Sequence, residues 1–169
     1  MRHAQQAPRP CRGKVRKRRL PPGIGHLILC ALLQLPINAL AEISGQVVEV
    51  TDGDTIAVLD ASSTLHTVRL SGIDAPERGQ PYGNASHEHL AALLAEQPVT
   101  VSGTRRDRYG RLCGTVMVKD VNASLEQVKK GMARWYRYDR RNQSRDEQTA
   151  LRAAEDAARA NGLGLWAAP

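Results

Sequence analysis

The chain has 169 residues, with 24 Lys+Arg against 17 Asp+Glu, three Cys, and two Trp and four Tyr as its only aromatics. That profile excludes a multidomain assembly, a disordered chain and a disulfide scaffold, and the lack of any CxxC pair excludes a zinc ribbon. The net charge of +7 does not mark a binding surface: residues 1–41 hold eight basic and no acidic side chains, while the remaining 128 carry 16 basic and 17 acidic.

From the N-terminus, Arg12–Arg19 is a basic run. Ile24–Leu35 (IGHLILCALLQL) is apolar, and Ala39-Leu40-Ala41 is a small-x-small site before Glu42. This order predicts a secretory signal peptide over residues 1–41 and a mature domain over 42–169. The apolar run is shorter than the about 20 residues that a membrane span needs. An uncleaved anchor and a basic nucleic-acid-binding arm are the alternatives, and the arm leaves the Ala-Leu-Ala boundary unexplained. Export to the periplasm or the medium is the expectation. Cys113 would then be the one remaining thiol, and its apolar setting predicts a small core residue.

In the mature region, Ile43–Val50 and Thr55–Leu59 are rich in β-branched residues and predict strands, with Asp52-Gly53 as the turn between them. Leu65–Ser71 predicts a third strand, in which Val68 and Leu70 alternate with Thr67 and Arg69. Asn84 is expected to cap a helix running to about Gln97, with Leu90, Leu93 and Leu94 on one face. Pro98–Thr104 and Leu112–Lys119 predict two more strands. Asn122 starts a short helix that stops near Gly131. Ser144 and Glu147 form a capping box for a helix to about Asn161, ended by Gly162. The fold class expected is α+β, mainly β: a five-stranded barrel with three packed helices.

Charge is segregated along the chain. Residues 42–104 carry two basic and nine acidic side chains, and residues 105–145 carry 12 basic and four acidic. The basic stretch also holds Tyr109, Trp135, Tyr136 and Tyr138. Cations interleaved with aromatics suit a polyanion with stacking bases; the blander reading, a solvated face, fits Lys129 and Lys130 at a helix end. The acidic half supplies Asp54, Asp74 and Glu77 next to strand ends. Clustered carboxylates are costly unless a cation holds them. With no suitable Cys or His set, the ion is a hard one, Ca²⁺ or Mg²⁺. Arg69 and the run Arg105–Arg111 add guanidinium forks for phosphate, and the set reads as a phosphodiesterase site.

These stretches resemble the thermonuclease (staphylococcal or micrococcal nuclease) family. The resemblance runs from about Gly45 to Trp166 through VVEVTDGDTIAV, VRLSGIDAPE, QPYGNAS, DRYGRLCGTV, VNASLEQVKKGMARWY and GLGLW. It implies an oligonucleotide-binding (OB) barrel and a Ca²⁺-dependent endonuclease acting on single- and double-stranded DNA and RNA, leaving 3′-phosphates. Asp54 and Asp74 would be the side-chain ligands of Ca²⁺, and Ala75 would give a backbone carbonyl. Glu77 would activate the attacking water, and Arg69 and Arg111 would grip the scissile phosphate. Tyr109 would contact the phosphate and sugar, and Tyr136 or Tyr138 would face the base. Asp52 is read as a turn residue. The loop RGQPY after Glu77 is short, which leaves little of a mobile flap over the site.

The alternative is a non-catalytic OB-fold nucleic-acid-binding module, since such barrels often only bind. The presence of Asp54, Asp74, Glu77, Arg69 and Arg111 together favours the enzyme. A monomer with no stable membrane partner is expected. His87 and His89, two apart on a helix, face different ways. His66 is expected to be an exposed strand residue and Trp166 a core plug for the tail. The leader reading carries a direct test: N-terminal sequencing of the exported protein should find a start near Glu42, and an intact Met1 or Arg2 in the periplasm or medium defeats it.

Overall fold

The computed structural model describes residues 42–95 and 97–167; the expected signal peptide lies outside them. The first strand, β1 (Glu42–Val50), leads through residues 51–54 to β2 (Thr55–Asp60), and β3 (Leu65–Leu70) follows. β1 pairs antiparallel with β2, and its first half pairs antiparallel with β5 (Pro98–Arg106). One strand serves two neighbours because the register shifts between Val47 and Glu49, which leaves Val48 as an unpaired, exposed extra residue. Such a bulge bends the strand and increases its twist. β5 in turn pairs with β6 (Leu112–Val118), with a second shift between Ser102 and Arg105.

Closure comes from β3 and β6, which run parallel with Val68 opposite Leu112, Arg69 opposite Cys113 and Leu70 opposite Gly114. The five strands form a closed barrel in the order β3-β2-β1-β5-β6, as expected. Two short pairings escaped the sequence. β4 (Ile73–Asp74) meets β8 (Arg134–Trp135), and β7 (Val121–Asn122) extends β6. Two-residue strands carry no alternation to read.

The barrel interior is aliphatic. Ile56, Val58, Val68, Leu70, Val99, Val101, Leu112 and Val116 are buried in it. Helix α1 (Gly83–Leu94) adds Leu90 and Leu94, with Leu93 partly buried beside them. The helix begins one turn earlier than the capping rule suggested: Tyr82, at φ 65°, is the N-cap, and no side chain caps it. Asn84 is therefore inside the helix, and Leu94 rather than Gln97 ends it. Helix α2 (Ala123–Lys129) starts as expected, with Asn122 accepting from Leu125 N–H at 3.1 Å. Helix α3 (Arg145–Ala160) has the full Ser144–Glu147 capping box.

Three side chains depart from expectation. Cys113 is half-buried on the outer face of β6 because the strand's alternation sends Leu112 and Gly114 inward. His66 is half-buried, with Nε2 2.8 Å from Asp60 Oδ2. Trp166 is half-buried rather than in the core, placed between the guanidiniums of Arg134 and Arg159 at 5.4 and 3.8 Å from its ring centre. A fully buried leucine in such a core should be costly to truncate: Leu90→Ala should lower unfolding stability by about 2–5 kcal/mol, read from urea denaturation.

Candidate active site

The turn from β1 to β2 builds the acidic side of the site. Asp52 Oδ1 accepts the Asp54 N–H at 2.9 Å, which folds the turn back on itself. This brings the Asp54 side chain inward, where only 3% of the residue remains exposed. Its Oδ1 accepts from the Thr55 hydroxyl at 2.9 Å and is ion-paired to Arg69 Nη1; its Oδ2 accepts the Ala75 N–H at 3.0 Å. Arg69 stands opposite Thr55 in the β2–β3 register, so the pair follows from strand pairing. Its other nitrogen, Nη2, donates to Asp74 Oδ1 at 3.0 Å and to the Ile73 carbonyl at 3.3 Å. One guanidinium thus bridges two carboxylates twenty residues apart.

The same turn is clamped from behind. Gln127 of α2 is fully buried, and its Nε2 donates to the Gly53 carbonyl at 2.7 Å and the Ser86 carbonyl at 3.1 Å. Its Oε1 faces Nδ1 of His89, while His87 Nε2 meets the Val50 carbonyl at 3.0 Å. A Cβ on Gly53 would collide with the Ser86 hydroxyl, so only glycine lets the turn seat this deeply.

The basic side is a second turn, between β5 and β6. Asp107 Oδ1 accepts from the N–H groups of Tyr109 (2.9 Å) and Arg111 (3.0 Å), and Gly110 closes the turn at φ 83°. Asp107 Oδ2 accepts from Arg111 Nε at 2.7 Å, which leaves the outer guanidinium nitrogens free to point elsewhere; Nη1 lies 3.5 Å from the Thr55 hydroxyl. Tyr109 is 70% exposed, with Arg108 and Arg111 over its ring at 5.0 and 5.4 Å.

Between the two turns lies a cleft of about 330 Å³. Arg69, Asp74, Glu77, Tyr109, Arg111 and Tyr136 all line it. Glu77 is exposed, and its backbone N–H donates to Gln80 Oε1 at 3.1 Å. The loop that follows is compact: Gln80 N–H donates to the Glu77 carbonyl, and Gly83 N–H to that of Gln80, both at 2.9 Å. Tyr136 sits where its N–H donates to the Gly72 carbonyl at 2.9 Å. Tyr138 does not line the cleft. It is 89% exposed, tilted against Tyr136 with ring centres 5.6 Å apart. Asp54 lies beneath the cleft, and Ala75 faces a neighbouring hollow that also touches Asp74.

Charge in the site is unbalanced. Burial pushes the Asp52 carboxyl above its ordinary range, and the charges of Asp54 and Glu77 add to this against the lowering effect of the Asp54 N–H. For Arg69, burial works against the charge, but Asp54 and Asp74 outweigh it and raise its pKa. Arg111 is already matched by Asp107. Asp52, Asp54, Asp74 and Glu77 therefore share Arg69 as the one close cation shown to pair with any of them. Among the described residues no three His, Cys, Asp or Glu side chains form a ready metal cluster. The donor set nevertheless fits a hard divalent cation. Asp54 Oδ2 accepts a single hydrogen bond, Asp74 is exposed with Oδ2 unpaired, and both are oxygen donors of the kind Ca²⁺ takes.

Comparison with known proteins agrees with this arrangement. Residues 67–168 match the family model described as Staphylococcal nuclease homologue. The chain is 37% identical over 149 residues to a Micrococcal nuclease of Shigella flexneri, covering 82% of each. The chain belongs to the staphylococcal nuclease family. It is also 40% identical over 127 residues to an "Uncharacterized endonuclease" of Escherichia coli O157:H7, covering 75% of this chain and 78% of that one. A protein of the same description from Haemophilus influenzae is 36% identical over 149 residues, covering 85% and 80%.

For this family member, the residues singled out from sequence converge, except that Tyr138 and Ala75 lie outside the cleft and Asp54 beneath it. Asp52 does form the expected turn, but it is also a buried carboxylate facing the site. Sequence reasoning missed Asp107, whose signal was available in DRYG, an Asx-type turn with glycine at the left-handed position. It also missed Gln127 and Glu155. Glu155 is 1% exposed on α3; it accepts the Trp135 N–H at 3.1 Å and pairs with Arg137 Nη2 at 2.6 Å.

Asp107 supplies a pH test. Burial tends to raise its carboxyl, but bonds from Arg111 and Tyr109 overcome this and hold it below 3.8. A depressed folded-state pKa adds stability above the unfolded value, and that stability is lost as pH falls through the folded one. Asp107→Asn keeps the Oδ1 acceptor but loses the charge. It should unfold at lower urea than the parent at pH 7, and the gap should close below about pH 4. A gap that persists at pH 3 contradicts the assignment.

Proposed function

We propose that this protein is a Ca²⁺-dependent endonuclease that, as an exported monomer, hydrolyses phosphodiester bonds of DNA and RNA to 3′-phosphate products. The observation that carries this reading is a single cleft in which two guanidiniums, Arg69 and Arg111, face the carboxylates of Asp74 and Glu77. The relatives named nucleases support it. The leader sequence supports export, and the resemblance supports the 3′-phosphate outcome.

Asp54 and Asp74, with the Ala75 carbonyl, would hold Ca²⁺. Such an ion, when bound, supplies Lewis-acid polarisation of a phosphoryl oxygen. Arg69 and Arg111 would each donate to the non-bridging oxygens, and their planar forks match the oxygens best as the phosphorus becomes trigonal-bipyramidal. Glu77, exposed and free of a cation partner among the described residues, would accept a proton from the attacking water. The new P–O bond forms in line with the bond to the 5′ oxygen, which breaks and takes a proton from solvent. Tyr109, on the Arg-rich turn, would pack against the phosphate and sugar. Tyr136, in the cleft, would face the base, with Tyr138 stacked outside it.

Two measurements test this. Plasmid DNA should be degraded by residues 42–169 in Ca²⁺ and spared in chelator; an unchanged rate in chelator removes the metal from the reading. On a single-stranded oligonucleotide, Glu77→Gln should lower kcat by about 10²–10⁴ with little change in affinity. Arg69→Lys and Arg111→Lys should also act on turnover more than on binding, because they keep charge but lose the fork. Tyr136→Ala should chiefly raise KM, since stacking exists before the transition state. A Glu77→Gln protein with parental kcat and poor KM would favour the binding-module alternative.

A further inference from the structure

Beside the cleft is a second, larger hollow of about 500 Å³, between the outer face of β5–β6 and helices α2 and α3. Its size lies within the about 300–1,000 Å³ of small-molecule sites. Ser71, Arg105 and Cys113 line both the hollow and the cleft, so the two share a wall. A ligand held at the phosphate in the cleft has this hollow next to it.

The chemistry of the two spaces differs. The cleft is built from guanidiniums and carboxylates. The hollow's charged side chains are both engaged. Arg105 pairs with Asp139 at 2.9 Å, and Glu147 accepts the Ser144 N–H at 2.7 Å in the capping box. What the hollow offers is neutral and polar. Ser102 and Thr115 face each other across the β5–β6 pair, and a hydroxyl can donate or accept. The one oriented group is Gln143. Its Oε1 accepts from Trp135 Nε1 at 3.0 Å, and an indole N–H only donates. That fixes the amide, and its Nε2 is left buried without a partner. A Cβ on Gly72, a cleft residue, would stand 3.1 Å from that nitrogen, which places it at the partition between the two spaces. A buried donor left unmade costs free energy that an acceptor would recover.

Building on the nuclease reading above, we infer that the hollow is a nucleobase subsite, in which Gln143 Nε2 donates to a carbonyl oxygen of the base adjoining the scissile phosphate. A phosphate is the wrong occupant, because no free cation faces it there and Glu147 would repel it. A neutral heterocycle with polar edges fits. The donor favours thymine, uracil or guanine, which carry an exocyclic carbonyl, over adenine, which presents an amino group instead.

The test uses short oligonucleotides with a single hydrolysable linkage, the others being methylphosphonates, and varies the base on either side of it. The parent protein should show kcat/KM about two- to tenfold higher beside thymine or guanine than beside adenine, the size expected of one neutral hydrogen bond. Gln143→Glu keeps an acceptor for Trp135 but removes the donor, and should move the ranking towards adenine and cytosine. Ser102→Leu fills the hollow and should flatten the ranking. A parent with no base ranking overturns the inference. So does a Gln143→Glu protein that keeps the parental ranking or loses rate equally for every base. Thymidine should also shift the Gln143 side-chain amide resonance in NMR. If thymidine moves that resonance but no oligonucleotide is cleaved, the nuclease reading fails and the base subsite stands. Cleavage with neither ranking nor shift gives the reverse.

Discussion

The site depends on the parallel pairing of β3 with β6. Every other contact of the barrel is antiparallel and joins strands that a sheet could also pair when flat. The three register pairs from Val68–Leu112 to Leu70–Gly114 turn the sheet into a barrel and place Arg69 on the same rim as the turn that carries Arg111. The same closure positions Thr55, which faces Arg69 in the register and donates to Asp54. Parallel pairs need long connections, and here that connection contains helix α1 and the whole of β5. The acidic and basic halves of the chain meet because of it.

Much of this architecture could be read directly from sequence because the relevant signals are local. β-branched alternation marks the five barrel strands, and Asn122 and Ser144 mark two helix starts by hydrogen bonds to residues three positions on. The start of α1 was hidden because its cap is conformational: Tyr82 takes a left-handed φ that nothing in its chemistry announces. Cys113 was misplaced because an apolar neighbourhood does not say which face of a strand is inward.

The candidate site divides the same way. Residue types with one evident use, such as Arg69, Asp74 and Glu77, stand where the motifs pointed. The supporting residues were illegible because their partners are far away in sequence. Gln127 reaches Gly53 across 74 positions, and Arg105 reaches Asp139 across 34. A glutamine on a helix reads as surface until the fold buries it. Asp52 reads as a turn residue and is one, yet the same turn draws it into a field of like charge.

The segment that carries Tyr136 and Tyr138 is held along its length. Glu155 takes the Trp135 N–H and Arg137, Arg105 takes Asp139, and Gln148 Nε2 donates to the Arg140 carbonyl at 2.9 Å. The two rings therefore stand on a braced ledge and not on a flap. A polymer strand arriving there meets a surface whose conformational entropy has already been lost in folding, so association orders the strand more than the protein. Stiffness of this kind favours rapid exchange of many different sequences over slow closure on one, which suits an enzyme that must release each fragment and engage the next.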